Sequence, residues 1–110
     1  MSLYMSQIAY TPEHLKALTQ QPEDRTEAIR AIGQKLGCQL VSFYYSFGEY
    51  DGVTVFEAPN ETAMTAVLLA ALGAGHIRAI KTTQLLAPKD AVEAMRQAGG
   101  AGFKAPGGNR

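Results

Sequence analysis

Residues 39–58 read QLVSFYYSFGEYDGVTVFEA, and this stretch decides the fold. Both of its ends are rich in β-branched and aromatic residues, which favour β-strands. The middle part, FGEYDG at residues 47–52, combines two glycines with charged and aromatic residues. We expect Gly48 and Gly52 to supply positive φ angles, and Asp51 to hydrogen-bond its own downstream amides. The stretch therefore predicts a β-hairpin with a tight loop.

Upstream of the hairpin, the sequence predicts one strand and a helical region. Residues 3–10 are apolar on both alternating faces, as in a strand that is covered on two sides. Thr11 followed by Pro12 is a typical helix start, because the threonine side chain caps free amides and proline fits the first turn. Helical spacing of apolar residues then resumes after residue 22 and ends at Gly37, a natural helix terminator.

Downstream of the hairpin, the chain alternates helix, strand and helix. Asn60 is the expected cap of an unusually apolar helix that ends at a Gly-Ala-Gly segment. Residues 76–86 follow as a strand, on the basis of their β-branched and leucine content. Residues 88–98 predict a C-terminal helix, with Val92 and Met95 facing inward.

The order strand, helix, strand, strand, helix, strand is the ferredoxin-like βαββαβ arrangement of the α+β class. It predicts a four-stranded antiparallel sheet with helices on one face. Residues 1–98 are expected to form this single domain with its extra C-terminal helix. Residues 99–110 are mostly Gly, Ala, Pro and Asn, and are expected to form a flexible, disordered tail.

The second face of the sheet predicts assembly. In the first hairpin strand, Val41, Phe43 and Tyr45 alternate on one side, while Leu40 and Tyr44 make the other side apolar as well. Soluble monomers tend to avoid a large exposed apolar patch. We therefore expect a second copy of the chain to cover this face, in a homodimer or a higher homo-oligomer.

Composition excludes several classes of partner. The 110 residues carry ten basic and ten acidic side chains, scattered singly, so the charge pattern of a nucleic-acid-binding protein is absent. The longest apolar run, residues 63–74, is shorter than the about 20 residues that span a bilayer. Residues 1–7 do not resemble a signal peptide. One cysteine excludes an internal disulfide and suits a reducing compartment. We expect a cytoplasmic protein with no membrane partner.

The FGEYD segment at residues 47–51, followed by VTVFEAP at 53–59 and LGAGHIR at 72–78, resembles the GYD domain family, which is named for its Gly, Tyr and Asp motif. The resemblance implies a ferredoxin-like domain related to the dimeric α+β barrels, in which two sheets face each other. Those relatives include cofactor-independent monooxygenases, muconolactone-isomerase-like enzymes and haem-handling proteins. Family members often carry an acidic residue at the position of Ile80, where this chain departs from the pattern.

Four residues are candidates for catalysis. Tyr50 and Asp51 place a phenol and a carboxylate at one edge of the sheet, where they can donate a hydrogen bond and accept a proton. His76 lies at the start of the last predicted strand beside Arg78, and we expect it to face the uncovered side of the sheet, where a general base or a haem ligand would have to sit. The alternative is structural: a turn at Tyr50 and Asp51, and a hydrogen-bonded or exposed imidazole at His76.

The aromatic residues Tyr10, Phe43 and Tyr45 are candidates for ligand binding, because they can line the pocket of a flat molecule. The alternative is that they belong to the core or an interface. Only two histidines are present, so no metal site is expected, and His14 has the position of an ordinary surface imidazole.

Three functions follow from these observations. In the first, a homo-oligomeric barrel binds a small apolar or aromatic molecule between its paired sheets. In the second, the protein is a cofactor-independent monooxygenase or isomerase. In the third, the paired sheets are packed solid and the domain is a structural or regulatory assembly unit. The sequence specifies neither substrate nor cofactor.

Overall fold

The computed structural model describes residues 1–107, which contain four strands and four helices. Their order along the chain is β1 (Ser2–Tyr10), α1 (Pro12–Gln20), α2 (Thr26–Lys35), β2 (Gln39–Tyr45), β3 (Gly52–Ala58), α3 (Glu61–Gly73), β4 (Ile77–Leu85) and α4 (Pro88–Gly99). This order confirms the ferredoxin-like α+β fold, with its first helical region split in two and an additional helix after β4.

The four strands form one antiparallel sheet in the order β2-β3-β1-β4. The central strands are therefore β1 and β3, and β4 lies at an edge beside β1. As a consequence, the end of β1 and the beginning of β4 are neighbours in space, although Tyr10 and His76 are 66 positions apart in the sequence. This proximity builds the site described below.

Both predicted helix caps are confirmed. The Thr11 Oγ1 accepts a hydrogen bond from the His14 amide at 3.2 Å and so caps α1. The Asn60 Oδ1 accepts one from the Ala63 amide at 2.9 Å and caps α3. These caps satisfy amides that have no partner within their helix, and they define where each helix starts.

One face of the sheet carries the core, beneath α2 and α3. Phe56 of β3 is 2% exposed and packs where α2 comes closest to the sheet. Gly33 permits this approach, because a Cβ atom at that position would lie 2.5 Å from the Phe56 ring. The buried cluster consists of Tyr4, Cys38, Leu40, Phe56, Ala58, Met64 and Val67.

A β-bulge in β2 corrects the predicted alternation of that strand. Leu40 pairs with Phe56 and Ser42 with Val55, so Val41 is an extra residue without a partner in the register. The extra residue reverses the alternation beyond it. Phe43 and Tyr45 consequently lie on the same, helix-covered face as Leu40, and not on the opposite side as expected.

The prediction that α4 turns Val92 and Met95 inward is wrong. Val92 is 43% exposed and Met95 is 67% exposed, and no residue of α4 is buried. The molecule is correspondingly elongated, with extents of 61 × 30 × 22 Å. An apolar stripe shows which side of a helix prefers burial, but it does not supply a surface that covers it.

The predicted tail is only partly within the described residues. Gly99 belongs to α4, and residues 101–107 are exposed outside any helix or strand. The last three residues, 108–110, lie outside the described part of the chain, and the disorder of the tail stays a prediction. No helix in residues 1–107 has the length and apolar character needed to cross a membrane.

Candidate functional site

A cavity of about 70 Å³ lies between the helix-covered face of the sheet and helices α2 and α3. Most of its wall is apolar, including Ile8, Ile32, Phe56, Met64, Leu68 and Ile80. A smaller set of polar side chains interrupts this wall: Ser6, Tyr10, His14, Arg25, Thr54 and His76. An apolar chamber with few polar groups is the usual composition of a small-molecule site.

Three of the polar residues form a ring cluster. The ring centroids of His14 and His76 lie 4.6 Å apart, and that of Tyr10 lies 4.7 Å from His14 and 6.2 Å from His76. The Tyr10 and His14 rings meet edge to face at 66°. Both histidines of the chain therefore contact the same tyrosine.

Backbone geometry holds the two histidines together. Tyr10 ends β1, His14 lies in the first turn of α1, and His76 immediately precedes β4. The Thr11 amide donates a hydrogen bond to the His76 carbonyl oxygen at 3.0 Å, which ties the start of α1 to the start of β4. The pairing of β1 with β4 thus positions side chains that are remote in sequence.

The Nε2 atom of His14 is buried and has no hydrogen-bond partner among residues 1–107. Such an atom is uncommon, because buried polar groups in native proteins are almost always hydrogen-bonded. The expectation of an ordinary surface imidazole at His14 is therefore wrong. The sequence did not predict the burial of His14, because its neighbour His76 is remote in sequence.

The surroundings of both histidines favour the neutral imidazole. Burial, the neighbouring His76 and the Arg25 guanidinium lower the pKa of His14, which Glu23 raises in part. Burial and Arg25 also lower the pKa of His76, while a hydrogen bond with the Ala74 backbone acts in the opposite direction. Since the ordinary histidine value is about 6.5, both side chains are mostly uncharged at pH 7.

Tyr10 is a hydrogen-bond donor at physiological pH. Burial is the largest of the causes that raise its pKa to about 12, and Tyr45 and Asp51 act in the same direction against Arg25. The phenol therefore keeps its proton. Its hydroxyl lies close to Gly52, where a Cβ atom would come within 3.4 Å of it.

The loop before β3 is connected to β1 by Asp51. Its carboxylate Oδ2 accepts a hydrogen bond from the Tyr10 amide at 2.9 Å, and its own amide donates to the Ile8 carbonyl oxygen at 2.8 Å. The expected bonds to downstream amides are absent among the hydrogen bonds of residues 1–107. The Asp51 side chain therefore holds the loop against β1, while its backbone carbonyl oxygen closes the loop by accepting from the Ser46 amide at 2.9 Å and from the Phe47 amide at 3.4 Å.

The expected positive φ angles at the loop glycines are also wrong. Phe47 has a φ of 47°, whereas Gly48 and Gly52 do not have positive φ values. Gly52 is needed for space instead, because a Cβ atom there would lie 3.3 Å from the Phe43 ring. The Ser46 side chain stabilises the loop further by donating a hydrogen bond to the Tyr50 carbonyl oxygen at 2.8 Å.

The four predicted catalytic residues do not share one site. His76 lines the cavity on the helix-covered side, which corrects the expectation that it faces the uncovered side of the sheet. Tyr50, Asp51 and Arg78 do not line the cavity, and Arg78 is exposed on β4. No cluster of three or more His, Cys, Asp or Glu side chains within residues 1–107 could hold a metal ion. Catalytic roles for the four residues stay predictions.

The three predicted ligand-binding residues are also divided. Tyr10 lines the cavity, whereas Phe43 and Tyr45 lie outside it in a shallow surface groove. There the two rings meet edge to face at 4.9 Å, and Tyr45 stacks on Phe47 at 5.3 Å. Because all three belong to the helix-covered face, they are not placed to line a cavity between paired sheets. A role in binding stays a prediction for each of them.

The GYD domain model matches residues 4–95 of this sequence. The chain belongs to the GYD domain family. No curated protein matches it. Because the match spans β1 to most of α4, both the ring cluster and the cavity of this GYD domain lie within the family's own region.

Solved structures show the same fold at low sequence identity. The GYD domain is similar to the crystal structure of TTHA0845 from Thermus thermophilus, at 16% identity and a TM-score of 0.53, over 79% of this chain and 95% of that one. It is also similar to PA3566 from Pseudomonas aeruginosa, at 17% identity and a TM-score of 0.51, over 78% and 92% of the two chains. At such identities the likeness concerns the fold alone.

Sequence reasoning missed His14 and Arg25 as members of the site. The predicted topology contained a usable signal for His14, since β1 and β4 are adjacent in a ferredoxin-like sheet. A histidine just after β1 and another just before β4 are therefore expected to meet. Arg25 had no comparable signal, because it lies in the segment between α1 and α2, whose path depends on how both helices pack.

Proposed function

We propose that this GYD domain binds a small, largely apolar molecule in the cavity between its sheet and its helices. The buried, unpartnered Nε2 of His14 carries this proposal. A ligand with a polar atom would give this nitrogen its missing partner and place the rest of the molecule against the apolar wall. The proposal moves the binding site from the space between paired sheets to the interior of one subunit.

The size of the cavity limits the ligand. A volume of about 70 Å³ corresponds to about two water molecules at ~30 Å³ each. Typical pockets for drug-sized ligands are larger, at about 300–1,000 Å³. We therefore propose a compact ligand with one polar group. Entry is available at the polar end, since His14, Arg25 and His76 are partly exposed.

Ligand-observed NMR with small alcohols, amides and acids tests this function. Saturation transfer to a bound probe is expected with the native chain. It is expected to disappear in Ala71→Leu, because Ala71 lines the cavity and the larger side chain fills it. Ala70→Leu is the matched control, since Ala70 is its neighbour on α3 and is exposed. If no probe binds the native chain, or if both variants behave alike, the cavity is not a binding site.

We also propose that the GYD domain is a homo-oligomer that pairs its uncovered sheet faces. This face carries apolar side chains that are only partly buried within one chain, namely Leu3, Met5, Val53 and Val55, beside the 67% exposed Tyr44. Contiguous exposed apolar surface of this kind supports a protein interface. A second copy of the chain presents the same face and can cover it by two-fold symmetry.

Light scattering coupled to size-exclusion chromatography tests the assembly. We expect a dimer or a larger oligomer at micromolar concentration. Val53→Asp should convert it to a folded monomer, because Val53 lies on the uncovered face and a carboxylate there opposes burial. Lys16→Asp provides a control, because Lys16 is exposed on α1 and does not belong to the sheet. A native chain that is monomeric at micromolar concentration, with its fold intact, would contradict sheet pairing.

A further inference from the structure

The cavity has donors for an anion and no acidic side chain in its wall. Of the charged or titratable residues that line it, three carry nitrogen and one is a phenol: His14, Arg25, His76 and Tyr10. Two carboxylates lie near the cavity but outside its wall. Asp51 accepts from the Tyr10 amide, and Glu23 pairs with the Nη1 atom of Arg25 at 3.3 Å on the exposed side. A negatively charged group at the polar end would meet the donors of His14, His76 and Tyr10 and the remaining N–H groups of Arg25.

We infer that the ligand of this GYD domain is a short-chain monocarboxylic acid, held as its carboxylate by His14, His76 and Arg25, and that its binding is accompanied by uptake of a proton. The inference rests on the proposed binding function of the cavity. The carboxylate occupies the polar end, where His14 Nε2 lacks a partner, and the alkyl chain extends along the apolar wall.

Proton uptake follows from the groups around the two imidazoles. Tyr10 from β1 and the other histidine face each imidazole, and Arg25 from the segment before α2 lowers the pKa of both. Glu23 from the same segment acts on His14 in the opposite direction. In the free protein this environment keeps both imidazoles mostly neutral. A bound carboxylate favours the imidazolium, so the pKa of the nearest histidine rises on binding. The complex then holds more protons than the free protein, and the affinity increases as the pH falls.

The small volume selects short chains. The carboxylate lies at the partly exposed polar end, so the chamber of about 70 Å³ has to hold only the alkyl chain. At ~30 Å³ for each methylene or methyl group, about the space of a water molecule, it has room for two or three of them. Butyrate is therefore a suitable probe, and butyramide is its uncharged counterpart of nearly equal shape. Benzoate tests the size limit, because its rigid ring does not fit a chamber of about 70 Å³ unless the walls move.

Isothermal titration calorimetry of the full chain with these three probes tests the inference. At pH 6.0 we expect butyrate to bind at least about tenfold more tightly than butyramide, which is about 1.4 kcal/mol. We expect benzoate to bind more weakly than butyrate. The butyrate affinity should fall between pH 6.0 and 8.0. Titrations in two buffers with different ionisation enthalpies should show net proton uptake, while butyramide should show none.

Variants of the three binding residues separate the proton uptake, which we assign to the histidines, from the attraction of the carboxylate by the Arg25 charge. His14→Gln and His76→Gln retain hydrogen-bonding capacity without a titrating ring, so at least one of them should reduce the proton uptake on butyrate binding and narrow the difference in affinity between butyrate and butyramide. Arg25→Gln should weaken butyrate at both pH values, because the arginine charge does not titrate. Arg30→Gln, also on the α2 side but outside the cavity wall, is the matched control and should bind like the native chain.

The possible outcomes distinguish a wrong ligand class from a cavity that does not bind ligands at all. If butyramide binds as tightly as butyrate at pH 6.0 without proton uptake, the acid inference is overturned while the cavity still functions as a binding site. If butyrate binds but Arg25→Gln and both histidine variants bind it like the native chain, the acid is held elsewhere and the inference is also overturned. If neither butyrate nor butyramide binds, the inference and the proposed function both fail.

Discussion

The two faces of strand β1 differ in burial far more than in residue type. Tyr4 and Ile8, which point toward the helices, are each 7% exposed. Leu3 and Met5 alternate with them on the other face and are partly exposed, although they are equally apolar. The difference comes from α2 and α3, which cover only one side of the sheet. Hydrophobicity therefore does not distinguish the two faces of this strand, and the position of the helices does.

This division separates the two proposed activities of the molecule. The covered face carries the cavity and the ring cluster of Tyr10, His14 and His76, where burial changes the pKa of each side chain. The uncovered face carries the apolar residues Leu3, Met5, Val53 and Val55 and is suited to contact with another protein chain. Binding and assembly can then be altered independently by substitutions on opposite faces.

The largest expected effect comes from Phe56→Ala on the covered face. Phe56 is 2% exposed and its ring fills the space between β3 and Gly33 of α2. Loss of this ring leaves a cavity, and we expect the free energy of unfolding to fall by about 3–5 kcal/mol. Chemical denaturation followed by circular dichroism measures this change.

The neighbouring Val55→Ala sharpens the comparison, because Val55 points to the uncovered face and is partly exposed. Its expected loss is about 1 kcal/mol or less at protein concentrations low enough to prevent assembly. Equal losses for the two variants under these conditions would show that both faces are covered within a single chain.

Asp51→Ala is expected to have the next largest effect. It removes the acceptor of the buried Tyr10 amide, and we expect a loss of about 1–3 kcal/mol in the free energy of unfolding. Tyr50→Phe keeps the ring and the backbone of the same loop and should change stability little. Thermal and chemical unfolding of both variants provide the measurement. The opposite order would indicate that the Tyr50 hydroxyl, rather than Asp51, holds the loop.

The two histidines on the covered side of the sheet should make the stability of the fold depend on pH. Folding lowers the pKa of both His14 and His76 below their usual value, so the unfolded chain binds more protons than the folded one just below about pH 6.5. The stabilising effect of the neutral imidazoles is therefore complete above that pH and is lost as the pH falls toward the lowered values. We expect a lower melting temperature at pH 5.5 than at pH 7.5.

The double variant His14→Gln with His76→Gln is the control for this pH effect. Neither glutamine titrates in this range, so the difference in melting temperature between pH 5.5 and 7.5 should shrink. An unchanged difference would assign the pH dependence to other groups. Measurement without added carboxylic acids is required, because ligand binding has its own proton linkage.

The smallest expected effect is that of Met95→Gln on α4. Met95 is 67% exposed, and α4 has no buried residue, so the free energy of unfolding should change by less than about 0.5 kcal/mol. Unfolding at two protein concentrations measures this. A clear loss that grows with protein concentration would show that α4 contacts another copy of the chain.

Local sequence signals were sufficient to predict features that depend on contacts between residues close together in the sequence. The hairpin around residues 47–52, the caps at Thr11 and Asn60, and the order of strands and helices were all predictable. Each depends on residues close together in sequence or on the periodicity of one element. The loop bonds of Asp51 were not predictable from the hairpin alone, because their partners belong to β1.

The sequence by itself determined the α+β fold class, the element order and the family, since these depend on local periodicity, turn residues and a short motif. Only the tertiary structure decided which sheet face is covered and where the site lies. The bulge at Val41 reverses the alternation of β2, and the adjacency of β1 and β4 brings His14 to His76. Both results depend on pairing between distant strands, which no local pattern of residues encodes.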